Sequence, residues 1–238
     1  MSLQQELDAL TARIAANKNV PRRVVAQLMA AIKEQIASGK SEHALKAGDA
    51  VPSFKLNDHN GASVSLSLLL ARGPLVISFY RGTWCSYCNT QLRALEAARS
   101  DIEARGASIV AISMQNEAYS SKTVAENHLG FPSLIDADGQ VAADFGLRYG
   151  LSAQMIELHK QLGKDLRLIN GEAGWSLLMP ARYVIARDGV VAYAEVNPDY
   201  THRAEPKDLL PILDQLARSI SAPGRSCPTL TSRIYDHV

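Results

Sequence analysis

An apolar run, Leu75-Val76-Ile77-Ser78-Phe79-Tyr80, leads into Arg81-Gly82-Thr83-Trp84-Cys85-Ser86-Tyr87-Cys88, and the helix-like stretch Asn89–Arg105 follows. A buried strand therefore runs straight into a helix, with two thiols three positions apart at the junction. No other feature constrains the chain as strongly. The N-terminal end of a helix favours negative charge, and one thiol of a close pair can stabilise its neighbour as a thiolate. Cys-x-x-Cys between a strand and a helix is therefore a redox signal. Half a zinc site and two inert core cysteines are the competing readings.

Zinc needs four ligands. The 238-residue chain has three cysteines, the third being Cys227, and histidines at 43, 59, 128, 159, 202 and 237 that show no ligand spacing. No metal or other cofactor is expected. An odd cysteine count argues against a disulfide-stapled secreted scaffold, and a reducing compartment suits a dithiol that cycles. The leading residues Met1-Ser2-Leu3-Gln4-Gln5-Glu6 hold neither a basic leader nor an apolar signal core, and no apolar run approaches bilayer-spanning length. A cytoplasmic location is the resulting expectation. A formal net charge of +1 gives no basic surface for nucleic acid, and neither nucleic acid nor membrane is expected as a partner.

Three parts are expected: a helical extension over 1–45, a redox domain over 46–218 and a tail over 219–238. In the extension, Leu3, Leu7, Leu10 and Ile14 keep helical spacing, and a second stripe runs through Val24, Val25, Leu28, Met29, Ile32 and Ile36. Pro21 can open the second helix and Gly39 can close it. This pair reads as a structural element that packs on the body or on a partner subunit, with no chemical residue. Asn57-Asp58-His59-Asn60-Gly61 then marks a hairpin loop and Arg187-Asp188-Gly189 a second one. Asp58, Asp136 and Asp188 read as turn residues. Between the two hairpins, Ser108–Ser113 and Ser133–Ile135 read as strands, Ala118–His128 and Gln140–Phe145 as helices. Strands separated by helices predict an α/β fold with a largely parallel central sheet. Leu151–Leu162 reads as a helix, Gly163–Gly174 as an irregular loop and Glu205–Arg218 as a final amphipathic helix.

These residues resemble the peroxiredoxins of the alkyl hydroperoxide reductase/thiol-specific antioxidant family, over roughly 46–217. The resemblance is carried by Ala47-Gly48-Asp49-Ala50-Val51-Pro52-Ser53-Phe54-Lys55-Leu56, Val76–Cys88, Ser108–Ser113 and Met179-Pro180-Ala181-Arg182-Tyr183-Val184-Ile185. Asn197-Pro198-Asp199-Tyr200-Thr201-His202-Arg203 also looks like the branch that carries Cys-x-x-Cys. The resemblance implies a thioredoxin-like central sheet flanked by helices. Peroxiredoxins typically show Pro-x-x-x-Thr-x-x-Cys. With Cys88 as the attacking residue, Cys85 and Arg81 stand at the threonine and proline positions; with Cys85, Gly82 and Ser78 do.

What the resemblance implies is a thiol-dependent peroxidase that reduces hydrogen peroxide or organic hydroperoxides. One thiolate attacks the O–O bond, the neighbouring thiol condenses the sulfenic acid to a disulfide, and thioredoxin or a similar dithiol restores the pair. Helix position favours Cys85 as nucleophile, with Cys88 resolving and Cys85 the more exposed; peroxiredoxin register favours Cys88. Arg81 and Arg182 are candidates to stabilise the thiolate, and Thr83 and Trp84 flank it, although packing is the plainer reading for Trp84 and Tyr87. Met179-Pro180 resembles the proline that is cis in thioredoxins and sits against the dithiol. Cys227, followed by Pro228, resembles the resolving cysteine of some two-cysteine peroxiredoxins. A homodimer is one arrangement the extension could serve. A general thiol–disulfide oxidoreductase and a non-catalytic redox sensor are the alternative functions.

Overall fold

The first helix, α1 (Leu3–Ala16), starts in a capping box: Ser2 Oγ accepts from Gln5 N at 3.2 Å while Gln5 Oε1 accepts from Ser2 N at 2.9 Å. α2 (Arg22–Ala37) follows Pro21 and ends before Gly39, whose φ of 65° is the left-handed stop that glycine supplies without strain. The computed structural model describes residues 1–221 and 233–234 of the chain.

The body begins with the hairpin β1 (Lys55–Asp58) and β2 (Ser63–Ser65), followed by α3 (Leu66–Arg72). β3 (Leu75–Phe79) leads to α4 (Ser86–Ala97), which Ala98 separates from α5 (Arg99–Glu103). The single helix expected over Asn89–Arg105 is thus two. No Gly or Pro marks the break; Ala98 sits at φ −93°, ψ 0°, and its N–H is shared among three carbonyls of the preceding turn. β4 (Ser108–Ser113), α6 (Glu117–Asn127), β5 (Ser133–Ile135) and α7 (Gln140–Asp144) continue the alternation.

An insertion then folds on itself. β6 (Arg148–Gly150) pairs antiparallel with β7 (Ser176–Leu178), and between them lie α8 (Ala153–Gln161) and α9 (Leu166–Asn170). The stretch expected to be irregular therefore contains a five-residue helix, capped by Asp165 through Arg167 N at 3.0 Å. β8 (Ala181–Ile185) and β9 (Val191–Val196) form the second hairpin, and α10 (Leu210–Ser221) follows a 3₁₀ turn at Pro206–Leu209. β10 (Arg233–Ile234) runs parallel to β9.

Among the described residues the main sheet has eight strands in the order β10-β9-β8-β3-β4-β5-β1-β2. It is mixed, not largely parallel. β3, β4 and β5 run parallel through helical crossovers, while both hairpins, joined by turns too short for a crossover, enter antiparallel. Alternation divides the core: Leu75, Ile77 and Phe79 face one layer with α3 and α7, while Val76 and Tyr80 face the other with α4 and α10. Leu3, Leu7 and Leu10 of α1 belong to that second layer, so the first helix of the extension packs on the body of its own chain. No helix of the described residues is long and apolar enough to cross a membrane.

Candidate active site

The two cysteines sit where the central strand β3 hands over to α4. Thr83 is pinned from both sides: its N–H donates to Gln115 Oε1 at 2.7 Å and its carbonyl accepts from Asn89 Nδ2 at 2.7 Å. Gln115 is itself fixed by Tyr80 Oη and Thr123 Oγ1, each 3.1 Å from its Nε2. Gly82, at φ 144°, makes the turn tight enough for this; a Cβ there would lie 2.6 Å from Trp84 Nε1 and 2.9 Å from Gln115 Oε1.

Cys85 is the N-cap of α4. Its Sγ accepts from Cys88 N at 3.3 Å and from Arg81 Nη2 at 3.1 Å. Both thiols are buried, Cys85 being 3% exposed and Cys88 0%, so the expected difference in exposure is nearly absent. Charge distinguishes them instead. Burial, the largest single influence, pushes the Cys85 thiol up. Donation from the Cys88 thiol, the charge and hydrogen bond of Arg81, and the Cys88 N–H together outweigh it and hold Cys85 well below the ordinary thiol range. Burial pushes Cys88 up, and donation to a negative neighbour pushes it further. The arrangement favours the negative charge on Cys85 and the proton on Cys88.

Arg81 is held by aromatic faces. Its guanidinium carbon lies 3.6 Å from the ring centroid of Tyr200 and 5.3 Å from that of Trp84. Such stacking leaves the N–H edge free to meet an anion in the ring plane. Tyr200 lies in the loop after β9, where burial pushes its hydroxyl up to about 12, keeping the ring neutral against the cation. The same loop supplies Arg203, which is buried, donates from Nε to Gln91 Oε1 at 2.7 Å and leaves Nη2 without a partner. Arg203 N bonds Gln4 Oε1 at 3.0 Å, and Tyr87 Oη meets Thr11 Oγ1 at 3.0 Å, so α1 braces both the loop and α4. Cys85 opens onto a cavity of about 640 Å³ beneath α2 and α8.

The sequence candidates separate clearly. Arg81, Trp84, Cys85 and Cys88 come together. Thr83 contributes its backbone, while its hydroxyl turns to Glu126 Oε2 at 3.2 Å and away from the thiols. Arg182 is fully buried and engaged elsewhere: Nε and Nη2 bond Glu195 Oε2 at 3.1 and 2.6 Å, and Nη2 bonds the Ala204 carbonyl at 2.7 Å. Its position on β8, opposite Ser78 in register, serves this ion pair and not a thiolate. The expectation of a cis bond before Pro180 also fails, since no cis peptide occurs among the described residues. Cys227 lies outside the described residues. Tyr200, Arg203, Gln115 and Tyr149, the last lining the same cavity as Arg81 and Cys85, join the site without having been assigned a role. The polar, aromatic run Asn197–Arg203 directly after a core strand was the signal for the first two, since ligands gather beyond strand ends in α/β sheets.

Comparison with known proteins identifies the family. The AhpC/TSA family model matches residues 47–194. A peroxiredoxin-named protein of Mycobacterium tuberculosis is 31% identical over 116 residues, 49% of this chain and 75% of the relative. Peroxiredoxin Bcp of Escherichia coli is 31% identical over 103 residues, 43% of this chain and 65% of the relative. Among solved structures, peroxidoxin BcpB of Mycobacterium tuberculosis superposes with a TM-score of 0.54 at 25% identity, covering 76% of this chain and 99% of its own. The chain belongs to the AhpC/TSA family, as a peroxiredoxin-like protein of the thioredoxin fold.

Proposed function

We propose that this chain is a thiol-dependent peroxidase in which Cys85 is the nucleophile and Cys88 the resolving thiol. The observation that carries the reading is the pair of donors on Cys85 Sγ, Arg81 Nη2 at 3.1 Å and Cys88 N at 3.3 Å. They favour the thiolate, which is the reactive form. The Cys85 thiolate attacks the outer oxygen of a hydroperoxide; an S–O bond forms, the O–O bond breaks, and the leaving alkoxide takes a proton to become an alcohol. Cys88 then gives up its proton and attacks the sulfenic sulfur, displacing water and closing a Cys85–Cys88 disulfide. A dithiol, a thioredoxin-like protein in this reading, reduces that disulfide by two exchanges. The need for re-reduction at every turnover fits a cytoplasmic, reducing compartment.

Stopped-flow oxidation by hydrogen peroxide, with mass spectrometry of the sulfenic acid trapped in Cys88→Ser, tests the assignment. Modification of Cys85 faster than a free thiol of matching pKa is expected. Equal rates would remove the peroxidase reading. In that case, turnover of protein disulfides would mark a general thiol–disulfide oxidoreductase, and a single oxidation without turnover a sensor.

A further inference from the structure

We infer that Arg203 does for Cys88 what Arg81 does for Cys85: it supplies the positive charge that steadies a thiolate on the second sulfur as the disulfide closes and as it opens. This rests on the peroxidase reading and adds a residue to its resolving half.

Both steps put an electron pair on a sulfur shut off from water. In closure the Cys88 S–H bond breaks, Cys88 Sγ bonds the Cys85 sulfur, and the S–O bond breaks. The departing hydroxide takes the Cys88 proton and leaves as water. In re-reduction a dithiol's thiolate bonds Cys85 Sγ, the S–S bond breaks, and its electron pair stays on Cys88 Sγ until the dithiol's second thiol gives up a proton. That second sulfur then displaces Cys85, and the dithiol ends oxidised. A thiol leaves faster the lower its pKa, yet Cys88 is 0% exposed and burial pushes it up.

Arg203 is fixed against the helix face that carries Cys88. Gln91 stands three positions after Cys88 on α4, so the two side chains share a face. Arg203 Nε donates to Gln91 Oε1 at 2.7 Å, Nη1 donates to the carbonyls of Asp199 and His202, and Gln4 Oε1 receives its backbone N–H. Two donors of this cluster are unspent: Arg203 Nη2 and Gln91 Nε2 are buried without a hydrogen-bond partner. Buried donors left unpaired are destabilising, and an anion formed during turnover is the acceptor such a pair suits.

The surrounding charges agree. Burial works against the Arg203 cation; of the charges around it Cys88 favours it most, then Glu195 and Cys85, with Arg81 opposing. Cys88 is pushed up by burial first, then by the hydrogen bond and the charge of Cys85, and is drawn down by Arg81 and Arg203. Oxidation of Cys85 to a neutral sulfenic acid removes its negative charge. The two arginines are then left to oppose burial, so Cys88 ionises more readily after the first step than before it.

One equivalent of hydrogen peroxide, with quenched samples read by mass spectrometry for sulfenic acid and disulfide, gives the closure rate. Dithiothreitol added to the disulfide gives the opening rate. Arg203→Gln is expected to slow both at least tenfold, and to slow the first oxidation of Cys85 by a smaller factor. Gln91→Glu keeps the acceptor for Arg203 Nε and sets a carboxylate beside the cation. It is expected to slow both steps as well, and it answers for Arg203→Gln should that variant not fold. Arg203→Lys, which keeps the charge, should recover most of the loss. The pH midpoint of closure is expected to rise in Arg203→Gln and Gln91→Glu, a shift that a loosened loop would not produce. Unchanged closure and opening with an unmoved midpoint, or a loss confined to the first oxidation, overturns the inference and leaves the peroxidase intact. Absence of sulfenic acid at Cys85 in the wild-type protein instead removes the peroxidase reading. Opening of a diamide-formed disulfide then decides the role of Arg203: tenfold slower in the variants supports it, and an equal rate overturns it.

Discussion

Arg81 Nη2 lies 3.1 Å from Cys85 Sγ, and the same guanidinium rests 3.6 Å from the centre of the Tyr200 ring. The arginine is thus positioned by one segment and used by another. Hydrogen bonds to charged groups are worth about 1.5–3 kcal/mol, roughly ten- to a hundredfold in an equilibrium. Arg81→Met should therefore raise the midpoint of the 240 nm thiolate absorbance of Cys85 and slow its oxidation at neutral pH at least tenfold. Arg81→Lys, which keeps the charge and loses the planar fork, should fall between. An unmoved midpoint in Arg81→Met would show that the cation does not hold the thiolate.

The unequal thiols make the two serine variants behave differently. Cys85→Ser should abolish reaction with peroxide. Cys88→Ser should retain one rapid oxidation and stop at sulfenic acid, losing catalytic cycling. Cys227→Ser should have a small effect on cycling if Cys88 is the resolving thiol, as proposed. Peroxide consumption per protein over successive additions separates these outcomes. Rapid oxidation of Cys88 in Cys85→Ser would reverse the roles.

The strand-to-helix junction was legible because three local rules agree there: an apolar strand, a tight turn and a helix start carrying thiols. The same agreement made the two hairpins and the extension helices readable. What sequence could not supply was partnership across distance. Arg81 and Arg182 look alike in one dimension; the Glu195 carboxylate claims the latter, and only the sheet register of β8 against β9 brings them together. Gln115 reaches Thr83 across 32 positions, and Tyr200 reaches Arg81 across 119. The short β6 and β7 strands and α9 were missed because segments of three to five residues are too brief to display a period.

Gly82 is expected to be intolerant of a side chain. Alanine would have to adopt φ near 144° and place its Cβ against Trp84 and the Gln115 oxygen that holds Thr83 N. Such backbone strain costs about 1–3 kcal/mol. Gly82→Ala should lose at least that much in urea unfolding and disturb the Cys85 titration as the turn shifts. Full stability would mean that the turn relaxes without cost.

Asp136 gives the protein a pH-dependent weakness. It is fully buried and accepts from Val141 N at 3.1 Å and Ala142 N at 2.8 Å, yet burial outweighs these bonds and raises its carboxyl to about 6 from 3.8. The folded chain therefore holds this proton more tightly than the unfolded chain. Its contribution is fully present below about pH 4 and is lost as pH rises through 6, a change of about 3 kcal/mol at 1.36 kcal/mol per pH unit. Wild type should lose stability relative to Asp136→Asn across that window in urea titrations. A constant difference from pH 4 to 7 would contradict the assignment.

Arg182 and Glu195 form a buried ion pair whose loss should affect folding far more than thiol chemistry. With side chains 0% and 2% exposed, neither charge can turn to water if its partner is removed. Breaking one side of such a pair costs about 3–5 kcal/mol, whereas replacing both partners with apolar groups is often neutral. The pair also fastens the loop after β9, because Glu195 Oε1 accepts from Ala204 N at 2.6 Å and Arg182 Nη2 donates to the Ala204 carbonyl. Arg182→Met alone should therefore be severely destabilised, while Arg182→Met with Glu195→Leu should recover most of the stability. In the double variant the Cys85 midpoint should move less than in Arg81→Met, since Arg182 contacts neither thiol. A midpoint that rises as far as it does in Arg81→Met would return Arg182 to the list of thiolate-stabilising residues.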